Sequence, residues 1–434
     1  MSIQGPTDYQ HPFPNYQLND LHQAMDYNSA GQPIIRVSTG STGTGNTVIN
    51  GNTGSDAFGR TRTSAPFTLF DSQNRYVDGQ QFASKTTGSG SVTYNANGSN
   101  FSLTVTTNGD EVIRQSKTVQ LYQPGKSLLA LNTFAMATLD PDLRQRVGYF
   151  TSGNGVYFEA DGEDLYLVIR SSVGGSVSNT RIAQSDWNQD TLDGSGASGI
   201  TLDPTKTQIF WCDIEWLGVG SVRCGFVING LFFIAHVFNH ANNETNVYMT
   251  TASLNPRFEI TSTGASGTML QICSTVISEG GFNPSVNLDY VTNNTNTTRI
   301  SPGNTLTSLA SIRLNPNTPD AVVLPSQVDL LLLDVRYGEF QLIEGASNVP
   351  NSWTNSVSTV TQYQIHSNII SDGRVVYSGL TSSRDEVEIS SEIARRLQLK
   401  RNVDGTPTIL TLAVAYTQTN ADVLYKFGWQ ELSN

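Results

Sequence analysis

Between about residues 66 and 284, apolar and polar residues alternate in short runs broken by glycine, asparagine and aspartate. A period of two sends successive side chains to opposite faces of a strand, and helical periodicity is hard to find here. In "VTYNANGSNFSLTV" the pair Asn97-Gly98 sits between two alternating runs, and in "TVTTNGDEVIRQ" Asn108-Gly109 does the same. Both read as two-residue hairpin turns. The strongest run is "QIFWCDIEWLGVGSVRCGFVINGLFFIAHVF", residues 208–238, which predicts three antiparallel strands turning at Gly218-Val219-Gly220 and at Asn229-Gly230. Counting outward from those turns sets Glu215 opposite Arg223 and Arg223 opposite His236. On the other face Ile214 meets Cys224 and then Ala235, and Trp216, Val222 and Val237 make the next row.

Residues 281–305 form a polar linker. Beyond it "VDLLLLDVRYGEFQLIEG", "TQYQIHSNIISDGRVVYSG" (with an Asp372-Gly373 turn) and "ILTLAVAYTQTNADVLYKFGWQEL" predict a second set of strands. One helix is expected over 385–398, where Ser383 and Glu386 form a capping-box pattern and Ile389, Ile393 and Leu397 a stripe. Residues 1–65 differ from all of this. "HPFPNYQ" favours extended backbone, and "STGSTGTGNTVINGNTGS" is of low complexity. The expectation is an all-β protein: two β-sandwich, jelly-roll-like domains over 66–284 and 285–434, behind an extended N-terminal docking arm over 1–65.

Composition sharpens this. The chain has 434 residues, long enough for more than one domain, and is 37% hydrophobic but only 14% charged. Hydroxyls, amides and glycine fill the gap, as on exposed strand faces. With 25 basic against 37 acidic residues the net charge is −12, which argues against nucleic acid and against a polybasic membrane contact as partners. Cys212, Cys224 and Cys273 have no metal-site spacing. Cys212 and Cys224 are placed diagonally by the counted register, about 7 Å apart, too far for a bridge. The start "MSIQGPTDYQ" lacks the pattern of an export signal, so assembly in a host cytoplasm is expected.

Candidate chemistry is sparse. "QPGKS", residues 123–127, ends like a phosphate loop, but Gln120 stands where that pattern needs glycine and Pro124 removes a donor, so a turn is the better reading. The row Glu215, Arg223, His236 has an enzyme-like composition, yet charged cross-strand rows also stabilise ordinary sheets. Asp213 and Glu215 could serve as paired carboxylates of a glycosidase, although spacing on one strand decides nothing. Asp186, Asp190 and Asp193 in "SDWNQDTLDGSG" miss the calcium-loop spacing. No catalytic residue, metal ligand or cofactor site is assigned, and the expectation is a protein that is not an enzyme. Trp187 and Tyr149 are the candidate glycan contacts.

The segment "SDAFGRTRTSAPFTLFDSQNRY", residues 55–76, joins arm to fold. Arg60 and Arg62 alternate with threonine, so an extended chain aims both guanidiniums one way. They suit carboxylates of this chain or of a neighbour, and both readings stand. Phe58, Arg60, Arg62, Phe67 and Phe70 are the candidate partner-docking residues. "DAFGRTRTSAPFTLFDS", "QPGKS", "RQRVGYFTSGNGVYFE" and "DPTKTQIFWCDIEWLGVGSVRCGFVINGLFFIAHVFNHAN", followed by "ICSTVISEGG", resemble a pattern of virion structural proteins in tailed phages and some large DNA viruses. The resemblance covers about 55–281 and implies a virion component, without catalytic residues. The meander ending in "FVINGLFF" is similar to concanavalin-like jelly rolls. The expected function is that of an accessory protein on the outside of a phage head or at its neck, held by its arm to other virion proteins (capsid, portal or tail) and homo-oligomeric. The alternative is a tail or fibre protein that binds host-surface glycan.

Overall fold

The computed structural model describes residues 25–27, 33–35, 65–76, 81–283, 288–293, 300–302, 304–333, 337–381, 384–416 and 422–432. The chain divides into two units between Ala65 and Pro66. In the first, β1 (Met25–Tyr27) pairs antiparallel with β2 (Pro33–Ile35). Phe58, Arg60 and Arg62 lie outside the described residues.

The second unit begins with β3 (Phe67–Ser72), β4 (Phe82–Thr87), β5 (Ser91–Asn95), β6 (Asn100–Val105), β7 (Glu111–Ser116), β8 (Leu128–Ala135), β9 (Leu143–Phe150), β10 (Gly155–Asp161), β11 (Asp164–Ser171), β12 (Ser178–Ala183), β13 (Gln208–Ile214), β14 (Val222–Ile228), β15 (Leu231–Phe238), β16 (Pro256–Ser262) and β17 (Gly267–Ser278). Seven of them form a sheet in the order β12-β11-β10-β9-β16-β7-β4. Eight form its partner, β15-β14-β13-β8-β17-β6-β5 with β3 also on β17. The protein is all-β, and this half is a jelly-roll-like sandwich.

Alternation builds the core. Val156 and Phe158 of β10, Phe210, Cys212 and Ile214 of β13, and Phe226 of β14 all point between the sheets and are fully buried. Phe158 stands at the centre, with ring centroids 5.1 Å from Phe226, 6.0 Å from Phe134 and 6.1 Å from Phe210. Each such ring contributes roughly 1.5–3 kcal/mol by burial alone.

Asn97-Gly98 does join a hairpin, β5 to β6. Asn229-Gly230 does the same for β14 and β15, with φ of 52° and 79° at its two central residues. Asn108-Gly109 does not: β6 and β7 lie in different sheets, so this turn is a corner that carries the chain across the sandwich. The Asp110 carboxylate fixes the corner by accepting from the backbone N–H of Thr106, Thr107 and Ser89, bonds that hold its pKa at about 2.

The rest of the chain folds as a second sandwich from β18 (Leu288–Asn293), β19 (Thr307–Leu314), β20 (Val323–Leu333), β21 (Gly338–Glu344), β22 (Thr354–Asn355), β23 (Thr361–Ile365), β24 (Arg374–Thr381), β25 (Arg384–Glu388), β26 (Leu410–Tyr416) and β27 (Asp422–Glu431). Its sheets run β18-β27-β20-β25 and β22-β23-β19-β26-β21-β24. They enclose a core around Trp429, Phe427 and Phe340. Val119 and Leu121, in the jelly roll's β7–β8 connection, belong to this second core. The Arg401 N–H donates to Lys117 O and the Gln398 amide to Val119 O, so the junction between the sandwiches is hydrogen-bonded. The expected helix over 385–398 is corrected to Ser391–Arg396, capped by Ser390, whose Oγ accepts from the Ile393 N–H. Arg384–Glu388 pairs with β20 instead, because a free sheet edge there satisfies more backbone than an extra helical turn would.

The outward face of the seven-stranded sheet carries a buried ion network. Arg146 spans Glu159 at 2.5 Å and Glu259 at 2.6 Å, Arg257 reaches Glu259 at 3.0 Å, and Arg181 reaches Glu159 at 2.8 Å. Burial raises the Glu259 pKa, but Arg257 and Arg146 outweigh it and hold the group at about 2, below its ordinary 4.5. A depressed carboxylate stabilises the fold above its unfolded pKa, and that stability is lost as pH falls from about 4.5 toward 2. Arg146→Met should therefore cost about 3–5 kcal/mol in urea unfolding at pH 7, and the deficit should shrink as pH falls through that window.

Candidate functional site

Outside the core, the eight-stranded sheet presents the other side of β13. Trp211 and Asp213 point away from Phe210, Cys212 and Ile214, and both are nearly buried. Phe232 covers Trp211 edge-on at 5.4 Å. Gly225 stands opposite Trp211, where a Cβ would fall 1.8 Å from Phe233 O, so the close approach of β14 to β15 requires glycine.

The expected row Glu215–Arg223–His236 is corrected. Asp213 faces Arg223, Arg223 faces Val237, and Cys224 faces His236. Two local features move the register. The first turn centres on Gly218 (φ 84°, after Leu217 at 39°) and not on Val219, so the Glu215 N–H bonds Ser221 O and Asp213 takes the place opposite Arg223. A bulge then falls between Cys224 and Gly225, which leaves Ala235 unpaired and turns His236 to the inner face. Cys212 and Cys224, expected to be diagonal, lie directly opposite each other as free, fully buried thiols.

The result is a cleft of about 570 Å³ whose walls include Tyr122, Lys126, Asp213, Glu215 and Arg223. "QPGKS" forms one wall as a turn, with Gly125 at φ 84°. Lys126 Nζ donates to Gln123 Oε1 at 2.8 Å and to Gly281 O at 3.2 Å, and Ser127 Oγ to Glu279 Oε2 at 2.7 Å. Tyr122 OH accepts from the Leu217 N–H and meets Trp216 edge-on at 5.7 Å. The Arg223 guanidinium donates to Asp213 Oδ2, while Asp213 Oδ1 and Trp211 Nε1 have no hydrogen-bond partner among the described residues. Burial raises the Asp213 pKa, and the half-exposed Arg223 opposes this without overcoming it. The cleft thus offers a desolvated carboxylate with an unused acceptor, a second carboxylate and two cations.

The other candidate residues lie elsewhere. Tyr149 is fully buried, its OH donating toward Gln120 O and Ala252 O and accepting from the Leu254 N–H. Trp187 is 4% exposed and donates to Ile182 O. Neither ring is open to a glycan, which corrects both assignments. Phe70 packs in the core against Phe82 at 5.6 Å. Phe67 stacks on Phe282 at 5.5 Å with Arg395 4.3 Å above it, so its aromatic contact is made within the chain. Asp190 and Asp193 bind their own loop, through the N–H groups of Leu192 and Ser198 and of Ser195.

No family model matches the chain, and no curated protein does. Solved structures similar to it include the conserved carbohydrate esterase vb_24B_21 from the Shiga toxin-encoding bacteriophage phi24B, at 13% identity over 50% of this chain and 100% of that one, TM-score 0.31. Another is a prokaryotic β-1,3-1,4-glucanase from a mouse hindgut metagenome, at 10% identity over 49% and 98%, TM-score 0.31. A third is the CBM2 module of the evolved Dit of Lactobacillus casei BL23 phage J-1, at 6% identity over 51% and 100%, TM-score 0.32. The expectation that the protein is not an enzyme is corrected here, because these neighbours include glycan-directed enzymes. The likeness is one of general fold and assigns no activity to this chain.

Burial disfavours the charged form of Asp213, and Arg223 is the group that opposes this. Asp213→Asn should therefore leave stability at pH 7 unchanged or higher in urea unfolding, whereas Arg223→Ala, which strands the carboxylate, should lower it by about 1–3 kcal/mol.

Proposed function

We propose that this protein is a structural component of a phage virion, an accessory protein on the outside of the head or at the neck, anchored through its N-terminal arm. The observation that carries the reading is the division of the chain at Ala65/Pro66, beyond which two sandwiches hold their own cores. Both cores are built from residues beyond 65, so residues 1–65 are the segment this reading assigns to attachment, and the motif at 56–72 spans the division in the sequence. Particle symmetry then calls for many copies. Deleting residues 1–65 should leave a soluble protein with unchanged thermal unfolding that fails to join particles, as read by antibody against residues 285–434. Normal incorporation of the truncated protein would remove the docking role.

A second reading, attachment to host-surface glycan, is favoured by the cleft over β13. Paired carboxylates accept vicinal hydroxyls well, and Arg223 and Lys126 add charge-assisted donors for an anionic sugar. Arg223→Ala should then weaken binding on a glycan array about tenfold or more; equal signal from both proteins counts against the cleft.

A further inference from the structure

The sandwich has an open lateral mouth where the inner faces of β11 and β12 meet that of β15. It forms a second cleft, about 510 Å³, whose walls include Ser171, Ser178, Thr180, His236, His240 and Tyr248. We propose that this mouth binds a neutral polyhydroxylated ligand, a saccharide segment.

The polar groups here are almost all uncharged, Glu244 being the exception among the lining residues. The two imidazoles are fixed in opposite tautomers. The Asn188 N–H donates to His236 Nδ1, so the neutral ring carries its proton on Nε2. His240 Nδ1 faces Gly220 O at 2.8 Å, and a carbonyl only accepts, so that ring keeps a bare Nε2. Neither Nε2 is hydrogen-bonded among the described residues. The mouth thus holds one ring donor and one ring acceptor, a pairing that suits hydroxyls, which do both. The rings are held by more than these bonds: His240 stacks on Tyr248 at 3.8 Å, and His236 meets Phe238 edge-on at 4.5 Å. Burial lowers both imidazole pKa values, in keeping with neutral rings. Across the mouth, Ser178 and Thr180 offer exposed hydroxyls from β12, whose outer edge has no strand partner among the described residues. Val237 and Val247 supply apolar surface for the C–H face of a sugar. A phosphate or carboxylate would find no cation among these walls.

This site is independent of the virion reading and is distinct from the charged cleft. The test is to titrate the full chain with neutral cello-, laminari- and chito-oligosaccharides by calorimetry and saturation-transfer NMR. At least one series should bind with Kd of about 1 mM or tighter. Thr180→Arg, which fills the mouth from an exposed strand position, should weaken it about tenfold or more with unchanged thermal unfolding, and Glu215→Gln should leave it intact. Ser178→Arg gives the same test if Thr180→Arg perturbs the fold. Absence of binding at about 10 mM, binding indifferent to both fillers, or binding lost in Glu215→Gln instead, overturns the proposal.

Discussion

The arrangement depends on the burial of Phe158 between two curved sheets. Phe134, Phe210 and Phe226 approach it from the opposing sheet, and no ring in this group is exposed. Because strand side chains alternate, fixing these residues inward fixes their neighbours outward. Tyr157 and Glu159 flank Phe158, and both must face away from the core. Trp211 and Asp213 are likewise committed to the outer face by Phe210, Cys212 and Ile214. The candidate sites are therefore consequences of the core, and a one-residue slip in β13 would exchange Asp213 for Cys212.

The two outer faces solve the resulting problem differently. On the seven-stranded sheet every buried carboxylate oxygen of Glu259 meets an arginine, and the guanidinium carbons of Arg146, Arg257 and Arg181 lie over the rings of Tyr157, Phe150 and Tyr166. The ion pairs of Glu259 are complete, while Arg144 Nε on the same sheet is buried without a hydrogen-bond partner among the described residues. On the eight-stranded sheet Asp213 has one oxygen paired and one without a partner among the described residues, and the indole N–H of Trp211, two residues away on β13, is likewise unpaired among them. Buried polar groups without partners cost about 1–3 kcal/mol each, so a fold selected for stability alone would have little reason to keep two side by side. The contrast between the doubly paired Glu259 and the half-paired Asp213 marks the outer side of β13 as the candidate binding face.

Much of the fold was legible from alternation and turn residues. Asn97-Gly98 and Asn229-Gly230 both close hairpins because both pairs tolerate positive φ where two-residue turns demand it. Asn108-Gly109 carries the same dipeptide yet joins different sheets, since a dipeptide records local backbone preference and nothing about which strand comes next. The register of 208–238 failed for a related reason. A turn centred on Gly218 instead of Val219 and the unpaired Ala235 are compatible with the same hydrophobic pattern, and the tertiary hydrogen bonds from Gln189 and Asp190 to Ala235 O that hold the bulge are remote in sequence. Tyr149 and Trp187 looked like surface aromatics because nothing local marks their burial. The Arg146 network was invisible for the same reason: its partners come from β10 and β16, 13 and 113 residues away.

The bulge in β15 also separates the two clefts. Without the extra residue at Ala235, Arg223 would face His236 and the imidazole would share the outer face with two carboxylates. With it, Val237 faces outward beside Arg223, and His236 faces inward beside Cys224. Val237 consequently borders both clefts, one charged and one nearly neutral, from a single strand. The backbone of the same residue is held by the Asn188 side chain, whose Oδ1 accepts from the Val237 N–H and whose Nδ2 donates to Val237 O, both at 2.9 Å. An amide that pairs with an edge strand in this way occupies the backbone groups of that one position while leaving the side chains on either face free. Edge protection, bulge and the separation of two chemically distinct clefts are thus one local solution, imposed where β15 ends the eight-stranded sheet.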